Sequence, residues 1–187
     1  MMTIFHRLYR LYKRLEYHYY VHSGRIIEGL RKQGMKIGDG CCIFSSEFWG
    51  EAYLISIGDH VQITDGVKLF THGGGWVFRD KIQDYDSFGK IVVGNNVYMG
   101  NNAMVMPGIT IGNNVIIAAG AVVTKNVPDN VVVGGNPAKY ICTLDEYIEK
   151  NLNYNLNTKS LSAKEKKKFL LELSDEKFIT KKYIDIP

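Results

Sequence analysis

Along the middle of this chain an aliphatic residue or Met recurs at every sixth position: Val93, Met99, Val105, Ile111, Ile117 and Val123 form one unbroken series. Four residues after each stands a second small or apolar residue: Val97, Ala103, Ile109, Val115, Ala121 and Val127. The same phase runs upstream through Ile57, Ile63 and Leu69, and less completely through Ile37 and Ile43. Neither a helix of about 3.6 residues per turn nor a plain strand alternation produces that period. Short strands joined by turns do. Three such hexapeptides, about 18 residues, return the chain to its starting face one strand spacing away, about 4.8 Å. The first residue of each then faces the interior. Asn95-Asn96, Asn101-Asn102 and Asn113-Asn114 suit the corners, because Asn and Gly accept left-handed backbone angles. An antiparallel sandwich would place its turns about every 8 to 12 residues and in looser phase. The fold expected is an all-β parallel coil of hexapeptide repeats with helical extensions at both ends.

The phase breaks once, after Leu69: residues 73–90 leave the coil and it resumes at Ile91-Val92-Val93. An excursion of that length in a compact repeat usually carries function. This one contains Trp76, Arg79, Asp80, Asp84, Tyr85, Asp86 and Phe88. Aromatic platforms amid polar neighbours suit a small-molecule ligand, so Trp76, Arg79 and Tyr85 are the candidate ligand contacts of the loop.

Outside the coil, residues 1–34 form an N-terminal extension that reads as helical over 4–33. Ile4, Leu8, Leu11, Leu15 and Tyr19 share one face, with Arg7, Arg10, Lys13 and Arg14 mainly opposite. Such a helix packs on its own domain, on a neighbouring subunit or on a membrane surface. Residues 143–187 form a C-terminal helical extension, in which Thr143-Leu144-Asp145-Glu146 and Ser162-Ala163-Lys164-Glu165 read as capping boxes. Lys166, Lys167 and Lys168 are expected on a solvated face, with Phe169, Leu170, Leu171 and Leu173 on the buried side.

Bulk properties narrow the field. The chain has 187 residues and a formal charge of +4, enough for one domain with a core. Its basic residues gather in the terminal segments, which argues against a nucleic-acid partner. The longest apolar run, 115–123, is broken by Gly120 and falls far short of the roughly 20 residues of a membrane span. No signal-like apolar region follows the cationic start, so a cytoplasmic location is expected. Of three cysteines, Cys41 and Cys42 are adjacent; they suit neither a disulfide framework nor a spaced metal site and are expected to be buried thiols.

Several segments together carry a resemblance: Ile57-Gly58-Asp59-His60-Val61, the Thr71-His72-Gly73 turn, Met106-Pro107-Gly108-Ile109-Thr110-Ile111-Gly112, Val123-Thr124-Lys125-Asn126-Val127-Pro128, and Gly134-Gly135-Asn136-Pro137-Ala138-Lys139. Over residues 35–142 the chain resembles the hexapeptide-repeat acyltransferases, in particular the branch with maltose, galactoside and polysaccharide O-acetyltransferases. The resemblance implies a left-handed coil, against the usual right-handed crossover, a homotrimer, and acetyl-CoA as cosubstrate with no metal. It implies direct acetyl transfer to a hydroxyl of a saccharide. His72, at the start of the excursion, is then the general base, a role suited to an imidazole near neutral pH. Among the other histidines, His6, His18 and His22 lie in the N-terminal extension and His60 at a coil corner. The cofactor positions carried over are Asn101, Ala119 and Gly120 for the pantetheine arm, and Thr124, Lys125 and Lys139 for the phosphates. Tyr98 stands where relatives often have Trp. Related sugar enzymes often carry an Asn one coil face before the histidine; the matching position here is Gly66, which leaves acceptor orientation open. The group that holds the other nitrogen of His72 is Asp65, Asp80 or a backbone carbonyl. Serine or antibiotic acetylation, a non-catalytic trimeric scaffold, and a γ-type carbonic anhydrase are the competing readings. The last needs about three histidines on zinc, against His60 and His72 in the repeat.

Overall fold

The computed structural model describes residues 22–45 and 51–183 continuously, together with residues 7, 8, 11, 12, 15, 16, 19 and 20. Ile4, His6, Arg10, Lys13, Arg14 and His18 lie outside the described residues. Contacts divide the chain into two compact units, 1–144 and 145–187.

In the first unit the strands are short and rotate among three sheets. Sheet one stacks β1 (Lys36–Ile37), β3 (Ile55–Ile57), β6 (Ile91–Val93) and β9 (Thr110–Ile111). Sheet two stacks β2 (Cys42–Ile43), β4 (Gln62–Ile63), β7 (Val97–Met99), β10 (Val115–Ile117) and β12 (Val131–Gly134), and ends with β13 (Lys139–Thr143). Sheet three stacks β5 (Lys68–Leu69), β8 (Met104–Val105) and β11 (Val122–Val123). Every pairing is parallel except β12 with β13, the antiparallel hairpin that ends the stack.

The register explains the period. Val93 pairs with Ile111, Met99 with Ile117 and Val105 with Val123, so each member of the six-residue series stacks on its own kind one rung away. All twelve residues of the two series are buried, none more than 6 % exposed. Side chains between them turn outward, as a strand's alternation requires. The same alternation corrects the expectation for the cysteines: Ile43 faces the core, Cys42 is exposed, and Cys41 and Cys142 are half-buried.

Corners follow the polar pairs. His60, Asn96, Asn114 and Asn130 all adopt left-handed φ, between 54° and 61°. Beside them runs a ladder in which each backbone N–H donates to a side-chain oxygen of the next rung. Asp39 donates to Asp59 Oδ1 at 2.8 Å, Asp59 to Asn95 Oδ1 at 2.8 Å, Asn95 to Asn113 Oδ1 at 2.8 Å, and Asn113 to Asp129 Oδ1 at 2.7 Å. Edge groups that no strand pairs are thereby satisfied.

The single helix expected over 4–33 is two pieces. Described residues from Arg7 to His22 are helical, Gly24 turns the chain at φ 72°, and α1 (Ile26–Lys32) follows, packing through Leu30 onto the base of the coil. A left-handed glycine ends a helix because no Cβ opposes it.

In the second unit, α2 (Leu144–Leu152) starts directly after β13, and α3 (Ala163–Glu172) carries the expected capping box. Glu165 N–H donates to Ser162 Oγ at 3.3 Å and Ser162 N–H donates to Glu165 Oε2 at 2.9 Å. Phe169 and Leu171 are exposed here, and only Leu170 and Leu173 are half-buried, so the expected buried side is not enclosed within this unit. So short a segment has too little chain to close a core of its own.

Candidate active site

Two breaks in the coil meet at His72. Regular rungs return after 18 residues, as from Val93 to Ile111. From Ile57 to Val93 the return takes 36, because the chain inserts the excursion; from Ile37 to Ile57 it takes 20. The longer first rung delivers Glu51, just ahead of a 3-10 turn over Ala52–Leu54.

His72 continues the extended chain that follows β5, where Phe70 N–H donates to the carbonyl of Val105 at 3.0 Å. The returning end of the excursion pairs with it: Gly89 N–H donates to the Thr71 carbonyl at 2.7 Å, and His72 bridges Phe88 in antiparallel fashion. The Phe88 ring stands edge-on to the imidazole, 5.6 Å between centroids. One flank of the histidine is thus apolar, while 47 % of its side chain remains exposed.

The opposite flank is a carboxylate. Glu51 Oε2 lies 3.0 Å from His72 Nδ1 and accepts from Thr71 Oγ1 at 2.5 Å, while Glu51 N–H donates back to that hydroxyl at 2.9 Å. Thr71 is fully buried. Burial pushes the Glu51 carboxyl up, but hydrogen bonds from Thr71 and His72, its own backbone and the charge attraction of His72 outweigh this and hold it below the ordinary carboxylate range. An ionised carboxylate can only accept, so in the neutral imidazole the proton belongs on Nδ1 and the lone pair on Nε2. This arrangement is competent for proton abstraction by Nε2.

Glu51 corrects the expected partners. Asp65 sits at the other end of β5, its carbonyl accepting from Asn102 N–H at 3.1 Å, and Asp80 is exposed in the excursion. Among the described residues no backbone carbonyl holds Nδ1 either. Gly66 has φ 70°, and a Cβ there would run into Asn102 Oδ1, so the neighbouring rung's amide occupies the space a side chain would need.

Within the excursion a 3-10 turn, Gly75–Phe78, forms a small aromatic knot. Tyr85 packs edge-on to Phe78 at 4.4 Å, and Arg79 lies over the Trp76 ring at 5.9 Å. Trp76 is 81 % exposed. Tyr85 therefore anchors the loop, and Trp76 with Arg79 forms its accessible edge.

The remaining candidates border sheet three. Asn101, Ala119 and Gly120 come together at the corner entering β8 and β11, where Gly120 N–H donates to the Asn101 carbonyl at 2.8 Å. All three are exposed, and a Cβ on Gly120 would meet nothing within 4 Å. Thr124 and Lys125 leave the far end of β11. Lys139 opens β13, brought near by Ala138 N–H donating to the Val122 carbonyl at 2.8 Å. Since Lys68, Met104 and Val122 are in register, β5, which runs on toward His72, and β11, which runs on toward Lys125, end on the same side of sheet three, two strand spacings or about 10 Å apart.

Comparison with known proteins bears on this arrangement. The family model described as bacterial transferase hexapeptide (six repeats) matches residues 90–125. Protein CapG of Staphylococcus aureus is 51% identical over 146 residues, covering 76% of this chain and 85% of the relative. Galactoside O-acetyltransferase of Escherichia coli (strain K12) is 37% identical over 95 residues, covering 50% of this chain and 46% of that protein. A crystal structure of a hexapeptide-repeat-containing acetyltransferase of Vibrio cholerae O1 biovar eltor, complexed with acetyl coenzyme A, superposes with a TM-score of 0.58. It has 22% sequence identity and covers 76% of this chain and 90% of that one. At that identity the likeness is one of fold.

Proposed function

The chain belongs to the hexapeptide-repeat acyltransferase family and is an acetyltransferase, and on that premise we propose that it moves an acetyl group from acetyl-CoA to a hydroxyl of a saccharide, with His72 as general base. The observation that carries this reading is the 3.0 Å pairing of His72 Nδ1 with Glu51, which leaves Nε2 to accept a proton. Acetyl-CoA, when bound, supplies an activated acetyl thioester. His72 Nε2 takes the acceptor's hydroxyl proton as its oxygen attacks, and Glu51 stabilises the imidazolium that forms. The same nitrogen then returns the proton to the departing sulfur.

The residues bordering sheet three fit such a cosubstrate. Exposed backbone at Asn101, Ala119 and Gly120 suits the close approach of a pantetheine arm. Thr124, Lys125 and Lys139, exposed at the last rungs, suit phosphates. Trp76 and Arg79 would meet the acceptor, with Tyr85 holding their loop. The working unit of this reading is a homotrimer of closed left-handed coils, residues 35–142, flanked by extensions 1–34 and 143–187, acting in the cytoplasm. No helix among the described residues is long and apolar enough to cross a membrane.

The test is thiol release from acetyl-CoA across a panel of mono- and oligosaccharides, serine and aromatic alcohols. Saccharide-dependent release is expected. Turnover confined to serine or an aromatic alcohol would reject the acceptor class, and acceptor-dependent turnover undiminished in His72→Ala would reject the base.

A further inference from the structure

The N-terminal helical segment leaves an apolar stripe uncovered. Leu8, Leu11, Leu15 and Tyr19 follow helical spacing along one face and are 58%, 53%, 61% and 58% exposed. The segment is nevertheless anchored, by a different face. Tyr20 is 6% exposed and lies so close over α1 that a Cβ on Gly29 would come within 2.7 Å of it. Lys32 Nζ sits 5.0 Å above the Tyr20 ring, and the same amine lies 3.6 Å from Glu16 Oε1. Docking thus uses Glu16 and Tyr20 and turns the leucines outward.

Charge says what fits the stripe. Residues 1–25 hold five basic side chains, Arg7, Arg10, Lys13, Arg14 and Arg25, against the single acid Glu16. That net +4 equals the formal charge of the whole chain, so the other residues sum to neutrality. A second copy would repeat this cationic segment, and its other residues, which sum to neutrality, carry no net opposite charge to answer it. An anionic lipid surface complements both properties, taking leucines among its acyl chains and cations at its headgroups. Beyond the buried Tyr20, four tyrosines in the segment, Tyr9, Tyr12, Tyr17 and Tyr19, are of a residue type whose amphipathic ring settles at a membrane interface.

We propose that this segment is a peripheral membrane anchor which lays its Leu8, Leu11, Leu15 and Tyr19 face on anionic bilayers. The test is flotation of the full chain with vesicles of phosphatidylcholine alone or of phosphatidylcholine with phosphatidylglycerol. Binding to the anionic vesicles only, weakened by salt, is expected. The pair Leu11→Asp and Leu15→Asp should abolish it. Replacing Arg7, Arg10, Lys13 and Arg14 with Gln should weaken partitioning by at least about tenfold, and this charge variant, which leaves the leucines in place, keeps the test decisive if the Asp pair misfolds. Failure to float, equal binding to both vesicles, or wild-type binding by the charge variant would overturn the proposal. So would absence of vesicle binding together with a fall in sedimenting mass for the Asp pair, which would assign the stripe to a second copy.

Discussion

Two stretches of the same coil behave differently. From β6 to β11 the chain only stacks, and each rung returns after 18 residues. Between β1 and β6 it departs twice, by a longer first rung and by the excursion, and both departures deliver side chains to His72. The regular stretch invests its sequence in burial; the irregular one gives up regularity to bring a carboxylate, a hydroxyl and an aromatic ring around one imidazole. Uniform rungs set a rigid frame, and local failures of uniformity build the chemistry on it.

Variants can break or sharpen that contrast. The largest effect is expected from His72→Ala, which should lower turnover by at least about 100-fold, the range for losing a general base. Thermal unfolding and CoA affinity should barely change; turnover near the wild-type rate would place the chemistry elsewhere. In the regular stretch the effects reverse. Ile117→Ala removes a fully buried side chain and should cost about 2–5 kcal/mol of stability, read by denaturant titration at fixed protein concentration. A stability loss no larger than that of a surface substitution would contradict the packing described for sheet two.

Glu51→Gln probes the seam between the two. It should lower turnover by roughly 10-fold or more, since the imidazolium loses its stabilising charge, with KM for acetyl-CoA little altered. The carboxyl is held below its unfolded value, so its stabilising pairing is present above the ordinary carboxylate pKa and is lost as pH falls through the lowered one. Acid unfolding of the native protein should therefore lose stability in that window, and Glu51→Gln should flatten the change. Identical acid profiles would mean that the pairing does not form in solution. The smallest effect is expected from Lys139→Ala, a several-fold weaker CoA affinity with chemistry at saturation nearly unchanged, measurable by titration; equal affinities would remove it from the phosphate contacts.

Much of the frame was legible in the amino-acid order because burial in a stacked coil is strictly periodic. Both apolar series and the Asn corners follow from that period. Glu51 was not legible, because it lies 21 residues before His72, where the phase is loosest and side chains cannot be assigned to a face by counting. Its one trace is the first rung's extra length between Ile37 and Ile57. Asp65 and Asp80 attracted the pairing by proximity in sequence, but a coil carries near neighbours to different corners and brings distant residues together. The split of the N-terminal helix is signalled by Ser23-Gly24, a break that the leucine stripe ending at Tyr19 does not reach. The exposure of Cys42 follows from its place outside the inward phase.

The amide ladder from Asp39 to Asp129 ties each rung, at the corner between sheets one and two, to its immediate neighbour and to nothing farther away. Cohesion in such a column is local, so opening should proceed from the ends like unzipping, and amide exchange should slow steadily toward the middle strands. His72 rides on a rung inside the column, sheltered from whatever frays at either end.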